Sequence, residues 1–243
     1  MRNYIIFYIN GRRITIEDDQ AFQPVANFLR AEKAMPGTKI VCAEGDCGAC
    51  TLLKATPNIN DSAAPPKFMS FNSCIAPVFL MDCAHIITVE GLKQSSEDLD
   101  PVQEAFVACN ASQCGYCTPG FVMAMSGLFE KCTQPTKKNI QNHLTGNLCR
   151  CTGYDSIINA GLSVDGALRR PLFERYGTDA IWKDLQEHQD IPVLLEAQTQ
   201  QGIKTFFAPT DLAEATQIRR SHPSTRIVAA GTDLGVQINK RHT

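Results

Sequence analysis

The 243-residue chain is 44% hydrophobic and 20% charged with a net charge of −2, which predicts a globular protein large enough for two or three small domains. It has no basic stripe typical of nucleic-acid binding, no polybasic helix typical of a membrane surface, and no apolar run long enough for a membrane span or signal peptide. An odd cysteine count without an export signal argues against a secreted disulfide framework, so we expect a cytoplasmic protein with reduced thiols.

The first segment, residues 1–91, has the pattern of a β-rich unit. Asn10 and Gly11 separate two runs of β-forming residues, and both tolerate the positive φ that a tight hairpin turn requires. A short helix is expected over residues 24–31, where apolar side chains recur on one side. The predicted strands are 4–9, 12–16, 51–54, 79–81 and 86–89.

The second segment, residues 92–169, has the pattern of a helical unit. Asp100 before Pro101, and Thr118 before Pro119, each combine a helix cap with a proline suited to the first turn. Four short helices are expected, which suits a small bundle. They cover residues 100–108, 118–131, 136–145 and 155–168.

The remainder of the chain changes character. Residues 170–203 carry scattered charges and Gln-rich patches and are predicted to form an extended linker. Residues 204–243 are typical of the start of an α/β unit, with a helix over 210–221 and a strand over 226–229. This final stretch is too short to close a domain of its own, and the predicted class of the whole chain is α+β.

Eight of the eleven cysteines fall into two sets of four with different spacing. The first set is Cys42, Cys47, Cys50 and Cys74. Its x4 and x2 spacing with one distant partner is that of plant-type 2Fe–2S ferredoxins, whereas zinc sites usually pair their ligands in two short knuckles. Gly45 and Gly48 lie inside the run, where a tight loop needs residues without a Cβ. We therefore predict a 2Fe–2S cluster here, with structural zinc as the alternative.

The second set is Cys114, Cys117, Cys149 and Cys151. Both of its pairs precede a predicted helix, and the partial positive charge at a helix N-terminus favours thiolates and an anionic cluster. Alone, this set fits a redox dithiol or a zinc site as well as a cluster. Beside the first set it favours a second 2Fe–2S cluster, and two clusters on one chain indicate a path for electrons.

Three stretches of the sequence, residues 44–51, 112–120 and 148–154, resemble the xanthine oxidase family of molybdenum hydroxylases. The resemblance is greatest to the small subunits of bacterial members that oxidise purines. It implies a β-grasp ferredoxin domain over residues 1–91, a helical 2Fe–2S domain over residues 92–169, and the first part of an FAD-binding domain from residue 204. The rest of that domain is expected either as more of the same chain or as a separate polypeptide.

The resemblance also implies cofactors and partners. In the family, a molybdopterin centre, here expected on a partner chain, oxidises the purine, and electrons pass through the helical cluster, the ferredoxin cluster and FAD to NAD+. Gln113 matches a position near the pterin, the alternative being an ordinary polar residue beside a helix cap. The residues that resemble the FAD pyrophosphate loop are Ile227, Val228, Ala229, Ala230, Gly231, Thr232, Asp233 and Leu234. The family usually has glycine where Ala230 stands.

These implications define the expected role and its alternatives. We expect an electron-transfer subunit with no catalytic residue of its own, in a heterotetramer or larger assembly with a molybdopterin-binding large subunit. A related hydroxylase acting on an aldehyde, carbon monoxide or an N-heterocycle is one alternative. A zinc-stabilised interaction module without a redox role is another.

Overall fold

The computed structural model of the chain describes residues 1–58, 65–93 and 98–241. The first part of the chain forms a five-stranded mixed sheet. The strands are β1 (Ile5–Ile9), β2 (Arg12–Ile16), β3 (Thr51–Ala55), β4 (Met69–Asn72) and β5 (Ala84–Ile87). They lie in the order β2-β1-β5-β3-β4, with β1 and β5 parallel and the other neighbours antiparallel. The predicted hairpin is confirmed, since Asn10 and Gly11 connect β1 to β2 with φ angles of 48° and 80°.

Two details of the sheet differ from the sequence prediction. The strand expected over 79–81 is wrong, because Val78–Met81 forms a 3-10 turn that begins after Pro77 and buries three of its four side chains. Strand β4 was not predicted. It pairs with β3 alone and its alternation of apolar and polar residues covers only four positions, too short a run to set it apart from the loop before it.

Helices dominate the rest of the chain, and the mixed α+β class is confirmed. The helices are α1 (Val25–Ala31), α2 (Pro101–Ala108), α3 (Thr118–Phe129), α4 (Lys137–His143), α5 (Asp155–Ser163), α6 (Leu172–Tyr176), α7 (Asp179–Gln189), α8 (Leu212–Ser221) and α9 (Thr232–Arg241). Asp100 and Thr136 form capping boxes that start α2 and α4, as their sequence positions predict. Within the described ranges, no helix is both long and apolar enough to cross a membrane.

The sheet and the helices share one hydrophobic core. Helix α3 is buried from Gly120 to Phe129 and packs across β3, so that Leu53 and Ile87 of the sheet contact the apolar residues of α3. A second cluster on the other face of the sheet packs Phe7 against Phe28 of α1. The boundary predicted near residue 91 lies beside residues 94–97, which are outside the described ranges.

The prediction of an extended linker over residues 170–203 is wrong. This segment folds into α6, α7 and β6 (Val193–Thr199), and α7 packs Ile181, Trp182 and Leu185 into the shared core. These apolar residues recur at helical spacing, but the surface that they cover, near Phe68, comes from a distant part of the chain. Burial of Trp182 therefore ties the segment to the sheet.

The last part of the chain contains the hairpin of β6 with β7 (Gly202–Ala208), followed by α8 and α9. The strand predicted over 226–229 does not form. Within the described residues no strand pairs with it, and an isolated extended segment gains no ladder hydrogen bonds to stabilise it. Instead, residues 226–231 lead directly into α9.

A buried histidine should make the stability of the fold depend on pH. His85 lies in β5 among aromatic rings and accepts a hydrogen bond from the Gly11 N–H at its Nε2 (3.0 Å). Burial lowers the pKa of His85 to about 4 from its ordinary value of 6.5. The unfolded chain therefore takes up a proton at higher pH than the folded chain, so stability is complete above 6.5 and is lost as the pH falls toward 4.

We expect a loss of about 2 kcal/mol in the free energy of unfolding between about pH 7 and pH 5, measured by urea denaturation. The variant His85→Gln keeps an acceptor for Gly11 but does not titrate, so its stability should fall less over the same interval. Equal pH dependence in both proteins would show that His85 does not account for the loss.

Candidate metal centres

The first cysteine set is built from an irregular loop and the segment after β4. Residues 42–50 have no regular secondary structure, and Gly45 and Gly48 adopt φ angles of +80° and +67°, which favour glycine. The segment that carries Cys74 is tied to this loop by two side chains. The Asn72 amide donates to the Gly45 carbonyl (2.7 Å), and the Ser73 hydroxyl donates to the Cys50 carbonyl (2.6 Å).

The sulfur atoms of the first set interact in two pairs. Hydrogen bonding from the Cys74 thiol lowers the pKa of Cys50 to about 7, while the same contact together with burial raises the pKa of Cys74. Burial would raise the pKa of Cys42, but backbone hydrogen bonds from its loop and the Cys47 thiol outweigh it and lower that pKa to about 7. The surroundings thus favour the thiolate, the form that binds metal, at Cys42 and Cys50, whereas burial raises the pKa of Cys47.

The second set joins the start of α3 to the turn before α5. Cys117 is the N-cap residue of α3, and the Cys151 thiol donates to the Cys114 sulfur at 3.7 Å. The Thr152 hydroxyl donates to the Cys149 sulfur (3.2 Å), and the Cys149 N–H donates to the Tyr154 hydroxyl (2.9 Å). These hydrogen bonds fix the backbone and the sulfur of Cys149.

The second set also forms two pairs. Each pair takes one cysteine from the start of α3 and one from the turn before α5. Burial and then hydrogen bonding with Cys149 raise the pKa of Cys117 to about 12. Burial acts to raise the pKa of Cys149, but hydrogen bonds to its sulfur outweigh burial and lower the pKa. The strongest of these hydrogen bonds comes from the Thr152 hydroxyl. The close partners are therefore Cys117 with Cys149 and Cys114 with Cys151, so neither sequence motif pairs internally.

This arrangement in pairs fits a two-metal cluster. Two thiolates on one tetrahedral metal, at metal–sulfur distances of about 2.3 Å, lie about 3.8 Å apart, close to the 3.7 Å between Cys114 and Cys151. In the part of the chain that is described, no three His, Cys, Asp or Glu side chains are arranged to hold a single metal ion. A zinc site needs four ligands around one ion, whereas each iron of a 2Fe–2S cluster takes two thiolates. Paired thiolates at this spacing therefore fit the two irons of a 2Fe–2S cluster.

The two cysteine sets meet at a close junction. The Leu148 N–H, next to Cys149, donates to the Cys47 carbonyl at 3.0 Å. The buried Asn147 amide donates to the Gly48 carbonyl at 2.9 Å, and a Cβ on Gly120 would lie 2.2 Å from that same oxygen. Sequence analysis did not identify Asn147. The signal that could have found it is its position two residues before Cys149, in the loop that carries the second cysteine pair.

The residues that resemble an FAD loop form an exposed turn before α9. Ile227 is 87% exposed, and Gly231 adopts a φ of +72°, so the glycine stands where the backbone needs it although Ala230 precedes it. Thr232, Asp233 and Leu234 form the first turn of α9. Gln113 is exposed beside the exposed Cys114, on the outer side of the second set.

The cysteines outside the two sets take other positions. Cys83 is buried next to Arg2, and Cys109 and Cys132 are half-buried. All eleven cysteines lie in described residues, and none forms a disulfide. The thiols of both sets are therefore available to metal.

Known proteins resemble this chain in domain, in sequence and in structure. Residues 88–162 match the family model described as a 2Fe-2S binding domain. The chain is similar to a xanthine dehydrogenase of Oryza sativa subsp. japonica (42% identity, 64% of this chain and 11% of that protein). It is also similar to aldehyde oxidase 1 of Bos taurus (37% identity, 95% of this chain and 20% of that protein).

Among solved structures, a chain of quinoline 2-oxidoreductase from Pseudomonas putida 86 aligns with a TM-score of 0.56 and 34% identity, over 68% of this chain and 93% of that one. By contrast, the chain spans at most a fifth of the length of the curated relatives that it matches.

Proposed function

The chain belongs to the xanthine oxidase family of molybdenum hydroxylases, and we propose that it is the electron-transfer part of a xanthine dehydrogenase. In this proposal, residues 1–91 form a plant-type ferredoxin domain, residues 92–169 a helical cluster domain, and residues 204–243 the start of a flavin domain. One 2Fe–2S cluster is held by Cys42, Cys47, Cys50 and Cys74. The other is held by Cys114, Cys117, Cys149 and Cys151.

The observation that carries this proposal is the hydrogen bond from the Leu148 N–H to the Cys47 carbonyl. Cys47 belongs to the first set, and Leu148 is covalently bonded to Cys149 of the second. A path from one set to the other therefore crosses covalent bonds and a single 3.0 Å hydrogen bond. Because electron tunnelling weakens steeply with distance, a close bonded junction suits transfer between two clusters better than it suits two independent structural sites.

The exposure of the two sets supports the order of transfer that the family resemblance implies. Cys114 and Cys151 are exposed, and the apolar side chains of Tyr116 and Leu148 nearby are 51% and 52% exposed, so this side suits a partner surface. A molybdopterin-binding large subunit would cover it, with Gln113 toward the pterin. The first set is more buried and contacts α9, whose first turn belongs to the proposed FAD loop.

When bound, each cluster accepts and releases one electron, and the protein sets the potential and the position. The residues of this chain supply thiolates, backbone donors and a fixed junction. The Asp46 N–H, for example, donates to the Cys42 sulfur at 3.4 Å, and such donors stabilise added negative charge. Electrons would leave through FAD to NAD+.

The choice of substrate would lie with the partner subunit. Similarity to a rice xanthine dehydrogenase supports a purine, with xanthine or hypoxanthine oxidised to urate. Similarity to bovine aldehyde oxidase 1 over 95% of this chain supports an aldehyde as the second candidate. Steady-state oxidation of both substrates by the assembly purified from its own host would distinguish them.

Metal analysis tests the electron-transfer role directly. We expect about four iron atoms per chain, as two 2Fe–2S clusters require, a visible absorption that dithionite bleaches, and two distinct electron paramagnetic resonance (EPR) signals after reduction. Stoichiometric zinc in a colourless protein would instead support an interaction module and reject the proposal.

A further inference from the structure

One face of α9 contacts the first cysteine set. Gly235 and Asn239 are four residues apart within α9, so they lie on one side of the helix. Gly235 is buried, and a Cβ at this position would lie 1.8 Å from the Ile75 carbonyl oxygen. Helix α9 therefore lies closer to the segment after Cys74 than any residue other than glycine would permit.

Asn239 uses this close approach to hold two separate backbone segments. Its side-chain amide donates to the Cys74 carbonyl at 2.7 Å and to the Ala43 carbonyl at 2.9 Å. Ala43 follows Cys42 in the cysteine loop, whereas Cys74 comes from across the fold. One amide group thus connects the two parts of the chain that carry the first set.

Lys240 adds a second contact from the same end of α9. Its ammonium group donates to the Cys42 carbonyl at 3.0 Å and lies 3.4 Å from a Glu44 carboxylate oxygen. Beside it on the helix, Val236 packs against the small cluster that contains Cys50, Cys74 and Ile75. Backbone, charge and apolar contacts all join α9 to this set, and none of them joins it to the second set.

We propose that Asn239 is a positioning residue for the first cysteine set, and that it sets the reduction potential of the metal centre held there. The inference rests on the proposed function, because it requires a cluster at Cys42, Cys47, Cys50 and Cys74. The positions and hydrogen bonds of ligand backbones tune the potential of iron–sulfur centres, so a residue that fixes two ligand segments acts on that potential.

The placement of α9 extends this role to the flavin. The helix begins at Thr232, inside the proposed FAD loop, and ends at the cysteine set. Flavin binding that orders the loop would therefore also change the reduction potential of the first cluster. Such coupling is reciprocal, so reduction of the cluster would change the affinity for the flavin. Occupancy of the flavin loop should shift the potential of the first cluster and leave that of the second unchanged.

The experiment is an EPR-monitored redox titration of the assembly purified from its own host, with variants of this chain. Asn239→Asp keeps the shape of the side chain but replaces its two donors by a negative charge beside the set. We expect full iron content, an unchanged second signal, and a several-fold lower equilibrium constant for reduction of the first cluster. Thr216→Ala, which removes only a hydrogen bond within α8, is the control and should change neither signal.

Gly235→Ala tests the same contact from another position, since its new Cβ would force α9 away from Ile75. In the wild type, removing the flavin should shift the first potential, and in Gly235→Ala this shift should shrink. Loss of the first signal alone in either variant would also support positioning. Unchanged first potentials in both variants, or equal changes in both clusters, would overturn the inference. Absence of iron from the wild type would instead reject the proposed function.

Discussion

Replacing Cys47 with serine should abolish one iron–sulfur EPR signal and leave the other intact. Cys47 supplies a sulfur to the first set only, and its contact with the second set is made by its backbone carbonyl. Serine keeps that carbonyl, so the hydrogen bond from Leu148 should survive while the first set loses a thiolate. EPR of the reduced protein and iron analysis would measure the change, with about half of the iron lost.

The matched control is Cys132→Ser. Cys132 is half-buried and belongs to neither set, so this variant should keep both signals and the full iron content. Loss of both signals in Cys47→Ser would contradict two separately assembled centres. Retention of both would remove Cys47 from the ligands and require another fourth donor for the first set.

Much of this site was predictable because its determinants are local in sequence. The spacing of Cys42, Cys47 and Cys50 requires a tight loop, and Gly45 and Gly48 adopt the positive φ angles that such a loop implies. Helix starts were equally local, since a cap such as Asp100 needs only its own first turn. The cap expected at Thr118 was wrong, however, because the N-cap of α3 is Cys117 and Thr118 already lies inside the helix.

The pairing of cysteines was not predictable from spacing. Only two residues separate Cys114 from Cys117. Even so, the sulfur closest to Cys114 is that of Cys151, and Cys117 pairs with Cys149. This arrangement depends on how α3 and the turn before α5 pack, which is a property of the shared core. The assignment of cysteines to sets remains a prediction that the proposed substitutions test.

Tertiary contacts also explain the two largest errors. The segment over 170–203 is polar on average, but Trp182 and Leu185 of α7 find a partner surface that the distant strands provide. Residues 226–229 have strand-forming side chains, yet no strand pairs with them in the described part of the fold. A distant surface therefore stabilised a helix in the first segment. The lack of a pairing strand among the described residues kept the second segment from forming a strand.

Asp100→Ala should be the most destabilising substitution outside the cysteine sets, because it leaves two buried arginines without their shared anion. Asp100 is 0% exposed and lies 3.3 Å from Arg169 and 3.2 Å from Arg175, while its carboxylate also caps α2 through the Val102 N–H. Removing one partner of a buried ion pair costs about 3–5 kcal/mol, since the remaining charge stays desolvated. Glu130 lies 2.7 Å from Arg169 and still neutralises the charge of that arginine, but not the charge of Arg175.

Urea denaturation of Asp100→Ala, Asp100→Asn and Thr136→Ala would separate the charge from the cap. Asparagine still caps a helix but carries no charge, so Asp100→Asn should lose most of the same free energy of unfolding. Thr136 caps α4 in an exposed capping box, and Thr136→Ala should cost only about 1 kcal/mol. If Asp100→Asn and Thr136→Ala lost equal amounts, the buried charges would not be what holds α6 against α2. A loss several times larger in Asp100→Asn would show that this ion network fixes the segment after the helical bundle, and thereby the surface on which α7 packs.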